Sequence, residues 1–222
     1  MSEEKREVVI PSQLLGKTKD KKAGKGTFVE NGNIYAETIG VLNINSNQIN
    51  VTALKGIYDP VKGDFVIGIV DEPMSSSWLV DINAPYPALL HVNEVPWDVE
   101  FNETEKYLNK GDCIMAKVLQ VDLEKKLNIT LKDRNLYKIK NGHLIEISPS
   151  KVPRIIGKKG SMISIIKKYT KCRIFVGQNG RIWVDGDKEG VEKVIDTIKI
   201  IDKESLSYGL TNKIEKMLKE VQ

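Results

Sequence analysis

The first part of the chain alternates short apolar and polar runs around turn-forming residues. Its clearest turn is Asn31-Gly32, a dipeptide typical of tight β-hairpins. The strand-like runs of this part lie at residues 27–29, 34–36, 41–44 and 49–51. The pattern predicts a small all-β domain over residues 1–55.

Strand-like alternation continues through the middle of the chain. The runs lie at residues 64–70, 78–82, 88–92, 112–121 and 126–131. The mixed alternation at residues 113–119 is typical of a barrel strand with one face in water. Five short antiparallel strands favour a small closed barrel of the OB type. We therefore expect a five-stranded barrel over residues 56–136.

The last part of the chain switches to helical spacing. Pro153 begins a helical stretch that Gly157 and Gly160 interrupt. The predicted strands lie at residues 143–147, 173–176 and 181–184. The interrupted helical stretch continues after Gly160 to about residue 169, and two further helices are predicted at residues 188–201 and 204–220. This order, β-α-α-β-β-α with a C-terminal helix, defines a domain over residues 137–222. The chain is thus predicted to be multi-domain, mainly β and then α+β.

Bulk composition narrows the class of protein. Hydrophobic residues make up 41% of the chain, the net charge is +4, and no run of 18 apolar residues exists. No membrane span is expected. The charged N-terminus lacks the apolar core of a signal peptide, and neither Cys113 nor Cys172 has a nearby partner. These features predict a cytoplasmic protein with reduced thiols.

Positive charge is concentrated rather than spread evenly. No Asp or Glu occurs between residues 147 and 184. The basic residues of that span are Lys151, Arg154, Lys158, Lys159, Lys167, Lys168, Lys171, Arg173 and Arg181. A second basic cluster lies at residues 17–25. Such patches indicate a polyanionic partner, although the early cluster is also typical of a charged loop.

The loop from Gly157 to Gly160 carries the most specific signal. Two glycines without Cβ atoms allow a phosphate backbone to approach closely, and the following helix directs backbone N–H groups to the same place. Lys158 and Lys159 add charge between them. This is the clamp by which KH domains hold single-stranded nucleic acid. The alternative is an ordinary helix-breaking turn.

Two arginines and the barrel provide further candidate contacts. Arg154 and Arg173 suit either phosphate and base contacts or surface salt bridges. On the barrel, Trp78 and His91 are candidates to stack on bases, while a core position is the alternative for Trp78. The lysines that would follow the RNA backbone are Lys125, Lys126 and Lys132.

Catalytic chemistry is not indicated by the sequence. The only histidines, His91 and His143, lie in different domains. No Cys and His spacing suits zinc, and Asp185 and Asp187 are typical of turn or cap positions. Gly16-Lys17-Thr18 lacks the preceding glycine of a phosphate-binding loop, because Pro11 stands there. We expect no catalytic residue, metal or cofactor.

Five segments of the chain together resemble one family. Residues 88–94 and 110–132 look like parts of an S1 RNA-binding domain, and residues 153–163 are similar to a KH clamp. The N-terminal runs at 8–11 and 23–29 resemble the first domain of the archaeal exosome's RNA-binding S1/KH cap subunit. This resemblance covers nearly the whole chain and implies an N-terminal β domain, an S1 barrel and a type I KH domain.

The resemblance also implies a function and partners. Members of this family look like non-catalytic subunits, three of which sit on a hexameric ring of RNase PH-like subunits. The cap captures single-stranded RNA, often with a preference for poly(A), and passes its 3′ end into the ring. Further copies of this chain or a related cap subunit are the other expected partners. A transcription or translation factor that reuses S1 and KH domains without a ring is the alternative.

Overall fold

The computed structural model describes residues 7–54, 56–122, 126–205, 207 and 209–220. The chain divides into two compact units, residues 1–56 and 57–222. Within the described residues, no helix is long and apolar enough to cross a membrane.

The first unit is all β, as predicted. Its strands are β1 (Val8–Val9), β2 (Leu14–Lys17), β3 (Lys22–Ala23), β4 (Thr27–Glu30), β5 (Asn33–Ala36), β6 (Gly40–Ile44) and β7 (Gln48–Ala53). They form a four-stranded sheet, β1-β6-β7-β3, and a three-stranded sheet, β2-β5-β4. The turn between β4 and β5 has positive φ at both Asn31 (48°) and Gly32 (77°). This is the backbone for which the Asn-Gly signal selects.

The second unit begins with a closed barrel of five strands, which confirms the OB-type prediction. They are β8 (Phe65–Pro73), β9 (Ser77–Asp81), β10 (Ala88–His91), β11 (Cys113–Val121) and β12 (Leu127–Thr130). The barrel order is β12-β10-β9-β8-β11, closed by pairing of β11 with β12. A short strand, β13 (Lys138–Ile139), adds to β11.

One pairing of the barrel differs from the expected antiparallel pattern. Strands β10 and β12 run parallel. The cause is the connection between β10 and β11, which brings β11 back beside β8. Because β12 then returns antiparallel to β11, it must run in the same direction as β10. This reversal was not visible in the alternation of either strand.

The rest of the second unit has the predicted order of an α+β domain. Its elements are β14 (His143–Glu146), α1 (Val152–Ile156), α2 (Ser161–Thr170), β15 (Arg173–Val176), β16 (Arg181–Asp185), α3 (Lys188–Lys203) and α4 (Leu210–Glu220). The sheet order is β14-β16-β15, with both pairings antiparallel. Single turns of 3₁₀ helix occur at Val92–Glu94, Thr104–Lys106, Pro149–Lys151 and Lys158–Gly160.

Helical spacing accounts for the core of the α+β domain. Helix α3 buries Val191, Val194 and Ile198, and α4 buries Leu210 and Ile214 against the same core. These positions are three or four residues apart, so they share one face of each helix. Helix α4 begins at Leu210, six residues after the predicted start at residue 204.

A turn of the α+β domain closes against the barrel. The side chain of Asn179 is fully buried and donates to the carbonyls of Ile67 (2.8 Å) and Ile82 (2.9 Å). Its oxygen accepts the N–H of Ile67 at 3.3 Å. The backbone N–H of Gln178 donates to the carbonyl of Phe65 at 2.8 Å. The β15–β16 turn thus forms hydrogen bonds with the start of barrel strand β8.

Arg181 makes the second link between the barrel and the α+β domain. Its side chain is only 5% exposed, and its guanidinium forms ion pairs with Asp81 of the barrel and Glu146 of β14. It also donates to the Asp81 carbonyl at 2.7 Å. A buried cation is tolerated where its hydrogen bonds are satisfied in this way. The barrel and the α+β domain are therefore joined by polar contacts that water cannot easily replace.

Candidate nucleic-acid interface

The glycine clamp, residues 157–160, joins α1 to α2 through a sharp reversal. Gly157 has φ 73° and ψ 171°, and Gly160 has φ 78° and ψ 13°. A Cβ atom on Gly157 would lie 2.7 Å from the backbone nitrogen of Met162. Only glycine fits the first position, because both its dihedral angles and its surroundings exclude a side chain. The sequence-based interpretation of an interrupted helix is correct.

The clamp presents two ammonium groups to solvent. Lys158 and Lys159 are both exposed, and Lys159 has the left-handed conformation, with φ 53° and ψ 32°. Helix α2 begins directly after the clamp, at Ser161, so its first turn directs backbone N–H groups toward the loop. This arrangement of cations and N–H donors can hold a phosphate group. Phosphate binding by residues 157–160 stays a prediction.

The structure gives Arg154 a partner within the protein. Arg154 lies on α1, and its guanidinium donates to the carbonyl of Ser207 at 2.6 Å. That carbonyl belongs to the connection between α3 and α4. Arg154 therefore ties this connection to α1, close to the glycine clamp in sequence.

Arg173 lies on the opposite side of its sheet from the helices. Its neighbour Ile174 packs into the helical core, whereas Phe175 packs against the barrel core. Arg173 shares the side of Phe175, pairs with Asp185, and lies 5.7 Å from the ring centroid of Trp183. The structure does not bring it to the clamp, and it has the salt-bridging role that the sequence left open.

Trp78 is a core residue of the barrel, which corrects its assignment to the RNA-facing surface. Its side chain is 0% exposed, and its indole N–H donates to the carbonyl of Leu108 at 3.1 Å. Strand β9 points Trp78 and Val80 inward together. A base cannot stack on this ring, so Trp78 is no longer a candidate contact. The prediction that the alternation of β9 places Trp78 on the outer face of the barrel is wrong.

The other candidate RNA contacts on the barrel lie at the two opposite ends of the paired strands β10 and β12. His91, at the end of β10, is exposed, and its Nδ1 accepts the N–H of Asn93 at 3.1 Å. Lys132 is exposed just beyond β12 at the same end, because β10 and β12 run parallel. Lys126 is exposed at the opposite end, before Leu127. Lys125 lies outside the described residues.

In the second unit, burial and neighbouring charges shift the pKa values of two thiols and one surface carboxyl. Desolvation by burial raises the pKa of both the Cys113 and the Cys172 thiols, and both cysteines are free. On the barrel surface, Lys117 pairs with Asp133 at 2.6 Å and lowers the pKa of that carboxyl. In the part of the chain described above, no three His, Cys, Asp or Glu side chains cluster as metal ligands.

Sequence reasoning missed the buried polar junction. Asn179 lies between the two strands predicted at residues 173–176 and 181–184, and Arg181 is one of the basic residues of the acid-free span. Arg181 begins a predicted strand whose next residues, Ile182, Trp183 and Val184, are apolar. A charged side chain in a buried strand is almost always paired, and this is the available signal for an ion pair at Arg181.

Family models match two parts of the chain. The model of the N-terminal domain of the exosome RNA-binding protein RRP4 matches residues 6–55, and the KH domain model matches residues 142–190. A crystal structure described as an exosome complex RNA-binding protein is 38% identical, with a TM-score of 0.68. It covers 74% of this chain and 97% of that one.

Similar relatives come from several archaea. The exosome complex component Rrp4 of Methanosarcina barkeri is 44% identical over 214 residues, which is 96% of this chain and 82% of the relative. The component of the same name from Thermoplasma acidophilum is 45% identical over 188 residues, or 85% and 80% of the two chains. At this identity and coverage, the chain belongs to the Rrp4 family of exosome complex components.

Proposed function

We propose that this chain is a non-catalytic cap subunit that captures single-stranded RNA and passes its 3′ end into a hexameric ring of RNase PH-like subunits. The observation that carries the proposal is the combination of a glycine clamp and an S1-type barrel in one compact unit. Phosphorolysis belongs to the ring in this proposal. The cap has three copies, either of this chain or of this chain with a related subunit.

The described surface of the second unit supports RNA capture. The clamp offers Lys158 and Lys159 beside backbone N–H donors, and the barrel offers exposed His91, Lys126 and Lys132. Phosphate contacts of this kind supply most of the affinity for single strands without fixing a sequence. The preference for poly(A) that the family resemblance implies is part of the proposal.

The first unit supports docking onto protein. Several large apolar side chains of this unit are more than 45% exposed, and burial of such side chains against a protein is favourable. They are Val8, Ile10, Leu14, Val29, Ile39 and Ile44. A ring surface would cover such residues, whereas RNA would not need them. The expected cytoplasmic location belongs to the same proposal.

Reconstitution with the ring tests the function. The chain is mixed with RNase PH-like subunits from its source, and native mass spectrometry measures the composition of the complex. We expect three cap copies on each ring and faster phosphate-dependent shortening of labelled poly(A) when the cap is present. A matched mixed-sequence RNA measures the preference.

The chain alone provides the control for catalysis. Incubation of the pure chain with labelled RNA and either phosphate or Mg²⁺ should leave the RNA at full length. Shortening by the chain alone would contradict the non-catalytic role. Recovery of the native chain with ribosomes or RNA polymerase, and without ring subunits, would instead support the translation or transcription factor.

A further inference from the structure

The chain contains the dipeptide Asn-Gly at three places, and the structure gives each of them a different environment. They are Asn31-Gly32, Asn141-Gly142 and Asn179-Gly180. An asparagine that precedes glycine can lose its side-chain amide, because a glycine has no Cβ atom to hinder the approach of its nitrogen to the side-chain carbonyl carbon. The three dipeptides share this intrinsic reactivity. A difference among them in the folded chain therefore comes from the structure.

The fold holds both reacting groups of Asn179-Gly180 in place. The side chain of Asn179 is fully buried, and it is bound to the backbone of Ile67 and Ile82. The N–H of Gly180 donates to the carbonyl of Gly177 at 3.1 Å. Cyclisation requires these hydrogen bonds to open first, so its rate falls with the small fraction of time that the site is open.

The Asn31-Gly32 dipeptide is exposed, but it lies in a tight hairpin turn. Glu30 pairs with Asn33 on either side of the turn. The carbonyl of Gly32 accepts the backbone N–H of Thr18 at 3.0 Å and the Thr18 hydroxyl at 3.1 Å. A rotation of the backbone that brings the Gly32 nitrogen to the Asn31 side chain would break this turn. We therefore expect slow conversion at this site as well.

The Asn141-Gly142 dipeptide lies in the connection between β13 and β14, where neither constraint applies. Both residues are exposed, and they line an open cavity of about 280 Å³. Among the residues that the structure describes, neither the Asn141 side chain nor the Gly142 N–H has a hydrogen-bond partner. The attacking nitrogen and the carbonyl carbon are thus both available without prior opening of the fold.

We propose that Asn141 is a site of spontaneous deamidation, in the connection that joins the barrel to the α+β domain. The backbone nitrogen of Gly142 forms a bond to the side-chain carbonyl carbon of Asn141. The side-chain nitrogen leaves as ammonia, with the proton that the Gly142 nitrogen gives up. Water then opens the succinimide ring at either carbonyl, which gives aspartate or isoaspartate. Water is the only co-reactant, and no electrons are transferred.

Conversion of Asn141 to isoaspartate would alter a contact of the barrel core. The main-chain carbonyl of Asn141 accepts the indole N–H of Trp183 at 2.7 Å, and Trp183 is only 7% exposed. In isoaspartate the main chain runs through the former side chain, so this carbonyl becomes part of a free carboxylate. A Cβ atom on Gly142 would collide with the same indole nitrogen, so the added main-chain methylene has little room. The product should therefore destabilise the second unit.

Timed incubation of the full chain tests the proposal, with the other two dipeptides as internal controls. The chain is kept at mildly alkaline pH, below its unfolding temperature, in water enriched in a heavy oxygen isotope. Peptide mass spectrometry measures conversion and isotope uptake at each asparagine, and a parallel sample in concentrated urea gives the rates without the fold. In urea the three sites should convert at similar rates. In the folded chain Asn179 should be slowed at least about tenfold relative to urea, and Asn141 less than about threefold.

A variant connects the conversion to its structural effect. Asn141→Gln should stay unconverted, because glutamine cyclises far more slowly through a larger ring, and its exposed position should leave the fold unchanged. The wild-type chain should unfold at lower urea concentration as isoaspartate accumulates, whereas Asn141→Gln incubated in the same way should not. Conversion of Asn31 before Asn141, or equal rates at Asn141 and Asn179 in the folded chain, would overturn the proposal. Equal losses of stability in the two chains would overturn the effect assigned to the Trp183 contact. The inference does not depend on RNA binding.

Discussion

The side chain of Asn179 and the backbone of Ile67 form a reciprocal pair of hydrogen bonds across the barrel junction. The amide nitrogen of Asn179 donates to the Ile67 carbonyl at 2.8 Å, and its oxygen accepts the Ile67 N–H at 3.3 Å. These residues are 112 positions apart in the chain. A turn of the α+β domain therefore acts like one more strand residue beside β8.

Replacement of Asn179 should destabilise the second unit strongly. Asn179→Ala leaves the N–H and carbonyl of Ile67 and the carbonyl of Ile82 without these buried partners. Each unsatisfied buried group costs about 1–3 kcal/mol, so we expect a loss of about 2–4 kcal/mol in the free energy of unfolding once water enters the site. Urea unfolding followed by circular dichroism measures it.

The neighbouring residue provides the control for that experiment. The side chain of Gln178 is exposed, so Gln178→Ala should change the free energy of unfolding by less than about 0.5 kcal/mol. Equal stability of both variants would show that the Asn179 contacts do not hold the junction.

A charge at the second glycine of the clamp should weaken RNA binding. Gly160 is left-handed, a conformation that Asp and Asn tolerate best among residues with a side chain, and the nearest atom to a Cβ there is 3.9 Å away. Gly160→Asp should reduce affinity about tenfold, or about 1.4 kcal/mol, through repulsion of phosphate. Gly160→Asn has nearly the same shape and should lose less. Equal losses measured by anisotropy would indicate a steric or folding effect.

The buried position of Trp78 predicts a structural and not a binding phenotype. Trp78→Ala should lower the free energy of unfolding by about 3–5 kcal/mol, as large-to-small core substitutions do. The milder Trp78→Phe should fold and keep RNA affinity within twofold of wild type. Calorimetry and anisotropy give the two values. A large loss of affinity in folded Trp78→Phe would return this residue to the RNA-binding surface.

Tyr58 should make stability fall at high pH. Burial, followed by the hydrogen bond to Asp64 at 2.7 Å, raises the pKa of the Tyr58 phenol above its usual range. The unfolded chain ionises this group near pH 10, at about its unperturbed value, while the folded chain keeps the proton. The unfolded state therefore binds fewer protons above that pH, and the free energy of unfolding declines as pH rises.

Tyr58→Phe isolates this contribution from that of the other titrating groups. The variant loses the hydrogen bond but cannot ionise, so its stability should fall less steeply between about pH 9.5 and 11. Chemical unfolding at several pH values measures both slopes. Parallel slopes would contradict the raised pKa.

Local signals in the sequence predicted the elements and the clamp well. Asn31-Gly32 selects its turn through φ angles that few other residues adopt, and Gly157 marks a backbone that excludes a Cβ. The spacing of Leu210, Ile214 and Leu218 similarly identifies the buried face of α4. Each of these signals depends on neighbours in the chain, so a single sequence contains them.

Long-range relationships were predicted less well. The alternation of β9 allows Trp78 on either face until the partners of that strand are known. The parallel pairing of β10 with β12 depends on the path of the whole connection between β10 and β11. The burial of Arg181 depends on Asp81, which is 100 residues away. None of these relationships has a periodic signature.

The polar junction made by Asn179 and Arg181 has a mechanical consequence for any RNA that touches both the clamp and the barrel. Because the junction joins the barrel to the α+β domain, the intervening nucleotides would have to bridge the span between the two surfaces. RNA shorter than this span would engage one surface at a time. A longer strand would bind both at a high effective concentration. The junction would then act as a length threshold, which separates short oligonucleotides from strands long enough to be retained.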